Sequence, residues 1–192
     1  GQTNTAVGQG ALAANTTANN NTAVGNSSLT KNTTGCENTA VGGTSLTCNT
    51  TGKRNVAVGF CSFCANLTGD NSVIVGAYAM NANTSGQNNT AVGRNALTAN
   101  TEGDNNTALG CGALGANTTA DENVAVGMNA LLKNTTGTRN TAVGTCALCN
   151  ITTVAHNTAV GACALRNTTI GCNTAVGSCA LDTNTTGPNN TA

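Results

Sequence analysis

The chain has 192 residues, and Thr (36), Asn (32), Ala (30) and Gly (24) make up 64% of it. Seven basic and seven acidic residues leave no net charge, and Val, Leu, Ile and Phe together number only 31. These figures exclude an ordinary globular core, a nucleic-acid binder with its basic field, and a transmembrane helix of about 20 apolar residues.

The predicted elements repeat. Ala-Val-Gly, or a close variant, ends at Gly8, Gly25, Gly42, Gly59, Gly76, Gly93, Gly110, Gly127, Gly144, Gly161 and Gly177. Nine spacings are 17 residues and the last is 16. The unit reads N-T-A-V-G-x-x-A-L-x-x-N-T-T-G-x-N, a period too short for a pair of helices and suited to one coil of a β-solenoid. Residues 1–192 therefore read as a single repeat domain, all-β, with parallel strands stacked in about eleven coils, and as a segment of a longer fibre protein.

Thr-Ala-Val before each Gly predicts a short strand, because Thr exchanges with Val at Val56, Val73 and Val124 and both are β-branched. The same exchange predicts that the Thr/Val face points into the roll, with Asn, Ala and Gly on the other face. The segment around Ala-Leu predicts a second strand or extended corner. Leu stands four residues after each Gly except at Phe63 and Met80. Asn-Thr-Thr-Gly predicts the turn between coils. Asn precedes Gly by four residues in every coil but one, where Ser72 stands. Stacked at about 4.8 Å, those amides either bond one another as a ladder or serve only as turn formers.

Asn55-Val56-Ala57-Val58-Gly59, Asn71-Ser72-Val73-Ile74-Val75-Gly76 and Asn123-Val124-Ala125-Val126-Gly127 resemble the N-S-V-A-I-G repeat of YadA-like head domains in trimeric autotransporter adhesins. The longer unit is similar to repeats of phage and giant-virus fibres. The resemblance covers the whole chain. It implies a left-handed parallel β-roll, often trimeric, at a cell or virion surface, and nothing catalytic. The 17-residue period, against about 14 to 15 in the heads, and the ten Cys depart from that pattern. A second resemblance is to β-roll ice-binding proteins, which would need the Thr/Val face outward.

An even, high Cys count in a weakly cored chain points to disulfides and an oxidising compartment. Cys146, Cys163 and Cys179 share one repeat position in successive coils, so Cys146–Cys163 or Cys163–Cys179 is feasible, but not both. Cys48 and Cys64 are also close in register. Cys61-x-x-Cys64 and Cys146-x-x-Cys149 lie five coils apart, too far to share one zinc ion.

Asn-X-Ser/Thr sequons are dense. Ten stand in or beside the recurring turn: Asn15, Asn32, Asn49, Asn66, Asn83, Asn117, Asn134, Asn150, Asn167 and Asn184. Five more are Asn20, Asn26, Asn88, Asn105 and Asn189. They are candidates for N-linked glycans, although turn composition alone generates such sequons. No carboxylate pair, phosphate loop or Cys/His pair is placed by the repeat, so neither an enzyme nor a cofactor is expected. The expected protein is an extracellular structural or adhesive fibre, glycosylated and self-associating as a filament or homotrimer, without membrane insertion or nucleic-acid binding. An ice-binding β-roll and a viral or phage fibre component are the alternatives.

Overall fold

A computed structural model describes residues 1–192. It holds one three-residue strand per coil: β1 (Thr5–Val7), β2 (Thr22–Val24), β3 (Thr39–Val41), β4 (Val56–Val58), β5 (Val73–Val75), β6 (Thr90–Val92), β7 (Thr107–Leu109), β8 (Val124–Val126), β9 (Thr141–Val143), β10 (Thr158–Val160) and β11 (Thr174–Val176). The strands form one parallel sheet in chain order. Register is strict, with Thr22 opposite Thr39, Ala23 opposite Ala40 and Val24 opposite Val41. The 16-residue coil keeps it, since Thr158 meets Thr174.

The coils are joined around their whole circumference, not only at the strands. Of 124 backbone hydrogen bonds, 104 lie outside the strand ladder. The second coil shows the pattern. Gly25 N–H donates back to Val7 carbonyl (2.8 Å), while Leu29 and Thr33 donate forward to Ser45 (3.0 Å) and Thr50 (3.0 Å). This matters because each coil buries little apolar area, roughly 2 kcal/mol for its Leu. Satisfying most of the backbone in this way lowers the desolvation cost that would otherwise unwind so thin a structure.

The Ala-Leu segment is not a second strand. It is a chain of turns, and its Leu adopts the left-handed region, with φ 49° at Leu29 and 50° at Leu97. The residue two before that Leu does the same, as at Thr44 (φ 56°) and Cys61 (φ 49°). A coil of 17 residues must close on itself, and alternating left- and right-handed residues bend the corner sharply enough to do so. The Gly after each strand is fixed by its neighbour: at Gly25 (φ +135°) an added Cβ would lie 2.5 Å from the Gly42 carbonyl oxygen.

The strand faces are the reverse of the expectation. Ala, in the middle of each strand, is fully buried, as at Ala23, Ala57 and Ala125, while Thr and Val flank it on the outside. The interior is one continuous cluster of 27 residues in which the Ala column faces the Leu column. Leu reaches across the roll, so only a methyl group fits beneath the sheet. Ile74, with Phe63 and Met80 in place of Leu, makes the one bulkier layer.

Candidate functional site

Three surfaces and one interior device follow from this geometry. The interior device is a pair of Asn ladders. In the first, just before the strands, the backbone N–H of Asn38 donates to Asn21 Oδ1 (2.9 Å) and Asn38 Nδ2 donates to the Gly52 carbonyl (2.8 Å). Ser72 keeps the chain of bonds, accepting from Asn89 N–H through its hydroxyl (3.1 Å). The second ladder runs through the turn. Asn49 Nδ2 donates to Asn32 Oδ1 (2.8 Å), Asn66 to Asn49 (2.8 Å), Asn83 to Asn66 (2.9 Å), Asn100 to Asn83 (3.0 Å) and Asn117 to Asn100 (2.7 Å). Each of these amides also donates to the carbonyl three residues on, as Asn49 does to Gly52 (3.0 Å). The following Thr adds an outer rung, Thr50 Oγ1 donating to the Leu67 carbonyl (2.9 Å).

This ladder reassigns the turn sequons. Asn32, Asn49, Asn66, Asn83, Asn117 and Asn134 are buried, with their Nδ2 atoms engaged inside the roll. A glycan on Nδ2 would have no space there and would break the rung. Asn15 and Asn184 are half-buried and donate to Ala18 and Gly187 carbonyls in the same way. Asn150 and Asn167 differ: the ladder column holds Ile151 and Thr168 in those coils, and the shift by one residue turns both Asn side chains outward. Asn150 is exposed and donates to Asn167 Oδ1 at 2.7 Å. Asn20, Asn26, Asn88, Asn105 and Asn189 are exposed. Four of these, Asn20, Asn88, Asn105 and Asn189, share one corner column with φ near +60°.

The first surface is the outward sheet face. One rank runs from Val7 to Val176 and a parallel one from Thr5 to Thr174, unbroken over eleven strands. Inner members are mostly half-buried because neighbours at about 4.8 Å shade each other, while Val7 (57% exposed) and Val176 (62%) lack a neighbour on one side. Leu109, longer than Val, stands proud of the rank and is exposed.

The second surface is the corner after the strand glycine, which carries every cysteine except Cys36 and Cys172. The structure contains one disulfide, Cys61–Cys64, within a single coil, with α-carbons 5.0 Å apart. Cys64 is thus not paired with Cys48, and Cys146, Cys163 and Cys179 are free thiols. Repeat register suggests bonds between coils, but the left-handed residue at Cys61 folds the corner so that positions three apart face each other. The sequence weighs Cys61-x-x-Cys64 only as a zinc motif, although that three-residue spacing is the signal from which the pair could be found.

The third surface is a notch of about 390 Å³ where Gly112 and Gly115 stand in the column positions that Cys61 and Cys64 fill elsewhere. Asn95, Asn129, Leu132 and Lys133 border it. No three His, Cys, Asp or Glu side chains converge as a metal site. No helix is long and apolar enough to cross a membrane. Compared with protein-family models, curated proteins and solved structures, the chain matches none.

Proposed function

We propose that this chain is the rod of an extracellular structural or adhesive fibre whose copies associate through the outward Thr/Val face. The observation that carries the reading is that face itself. An in-register apolar rank eleven residues long lies outside a roll whose own interior is already filled by Ala and Leu. A continuous apolar stripe of this kind marks an association surface. The disulfide and the exposed sequons suit an oxidising, glycosylating route to a cell or virion surface. Sedimentation and light scattering test the association. Val58→Lys with Val92→Lys is expected to convert an oligomer to monomers without unfolding. A wild-type chain that stays monomeric at high micromolar concentration removes the reading.

The outward face also supports a second reading, ice binding through parallel Thr and Val ranks. Thermal hysteresis at millimolar protein, lost on Thr39→Lys and Thr90→Lys, is the expected behaviour. Freezing indistinguishable from buffer sinks it.

A further inference from the structure

Cys146 and Cys149 occupy the same two repeat positions as the disulfide-bonded Cys61 and Cys64, each pair lying two and five residues after the strand glycine. The backbone path is the same. Cys146 (φ 55°) and Leu148 (φ 52°) match Cys61 (49°) and Phe63 (53°). Cys146 N–H donates to Met128 carbonyl at 3.0 Å as Cys61 does to Gly43 at 3.0 Å. The carbonyls of Cys149 and Cys64 accept from Lys133 (3.1 Å) and Cys48 (3.0 Å) of the preceding coil. Corner geometry therefore places the α-carbons of Cys146 and Cys149 within the range a disulfide spans, about 4.4–6.8 Å.

We propose that Cys146 and Cys149 form a second within-coil disulfide by exchange with a low-molecular-weight disulfide, a modification independent of the fibre reading. The two thiols have distinct parts in it. Cys149 is buried, and burial pushes its thiol up to about 11, so it stays protonated at neutral pH. Cys146 is half-exposed and is the sulfur a reagent reaches first. Its thiolate attacks one reagent sulfur, forming a mixed disulfide and releasing one reagent thiol. Cys149 then gives up its proton as its sulfur displaces the second reagent thiolate, which takes up a proton. In sum, two protein thiols are oxidised and one reagent disulfide is reduced to two thiols.

The rival bond is Cys146–Cys163, one coil apart. Cys146 and Cys163 both lie close enough to Cys149 to hold its thiol up, beneath the larger effect of burial. Closing the within-coil bond also leaves Cys163 with Cys179 as its remaining column neighbour.

The test uses the folded full chain with Cys163→Ser, a residue type already tolerated in that column at Ser27. After treatment with oxidised glutathione and alkylation of free thiols, the tryptic peptide from Asn140 to Arg166 is weighed. A peptide lighter by two hydrogens than its reduced form, with neither Cys alkylated, is expected. The Cys61–Cys64 peptide serves as internal reference, and Cys149→Ser in the same background should abolish the mass loss. Two alkylated or glutathione-capped cysteines in folded Cys163→Ser protein would overturn the proposal. So would a mass loss seen in the wild type but absent from Cys163→Ser, since that result assigns the bond to Cys163.

Discussion

Asn134 Oδ1 has no hydrogen-bond partner because the next coil presents Ile151 where every preceding coil presents Asn. The Asn134 amide still donates to Asn117 Oδ1 (3.3 Å) and to the Gly137 carbonyl (2.8 Å), so the turn ladder ends on an acceptor without a donor. Ile151→Asn supplies that donor. It loses an apolar side chain but completes a rung, so it is expected to cost no more than about 1 kcal/mol in denaturant unfolding. Leu148→Asn in the same coil has no waiting partner and should cost about 3 kcal/mol or more. Equal losses in the two variants would show that the ladder contributes nothing there.

Asn66 sits mid-ladder, donating to Asn49 and the Gly69 carbonyl and accepting from Asn83 and Gly69 N–H. Asn66→Ala leaves those buried partners unpaired and should lower stability by roughly 3 kcal/mol. Asn26→Ala, on the exposed surface, is expected within about 0.5 kcal/mol of wild type in the same melt.

Two glycines should respond in opposite ways. At Gly59 (φ +133°) a Cβ would lie 2.7 Å from the Gly76 carbonyl carbon and oxygen, so Gly59→Ala is expected to lose about 3 kcal/mol or more. Gly112 (φ +68°) meets only a movable Asn129 side chain at 2.6 Å, and the same column carries Asn95 and Asn129. Gly112→Asn should change the melting temperature little while filling the notch.

Secretion through a glycosylating host separates the sequons. Glycopeptide mapping should find sugar among Asn20, Asn26, Asn88, Asn105, Asn150, Asn167 and Asn189, and none at Asn32, Asn49, Asn66, Asn83, Asn117 or Asn134 of folded protein. A folded chain with a glycan at Asn66 would contradict the buried ladder.

The reduced protein should lose stability in alkali through Cys149. Its folded thiol titrates at about 11 against an ordinary 9.0, so between these values the unfolded chain holds fewer protons than the native one. Stability then falls as pH rises from 9 toward 11, by roughly 2 kcal/mol at most. Urea titrations at pH 8 and pH 10.5 check this, with Cys149→Ser removing the extra slope.

The solenoid, its strands and the need for Gly25 and its equivalents are legible in the repeat, because each is a property of one column read down the chain. The inward face is not. Sequence patterns place Val inside and Ala wherever there is room, but here Leu29 and its equivalents fill the roll from the opposite wall and leave only a methyl's depth beneath the sheet. That Leu sits at positive φ, a region rare for branched L-residues, which is why its segment reads as a strand. The turn Asn were legible as sequons but not as ladder members, since one residue type serves both roles. Asn150 and Asn167, displaced by one position with their sequons kept, and Asn100, which keeps the column without a sequon, reveal the difference.

The strict register of the sheet has a cost that the individual coils do not show. A chain whose rungs are nearly interchangeable can mispair with itself one full period out of step and still satisfy most of its backbone. Ser72 with Ile74, the Phe63 and Met80 pair, Ile151, Thr168 and the short last coil are the places where such a slip would be felt. These irregular rungs act as landmarks along an otherwise featureless ruler, and they single out one alignment from its near copies.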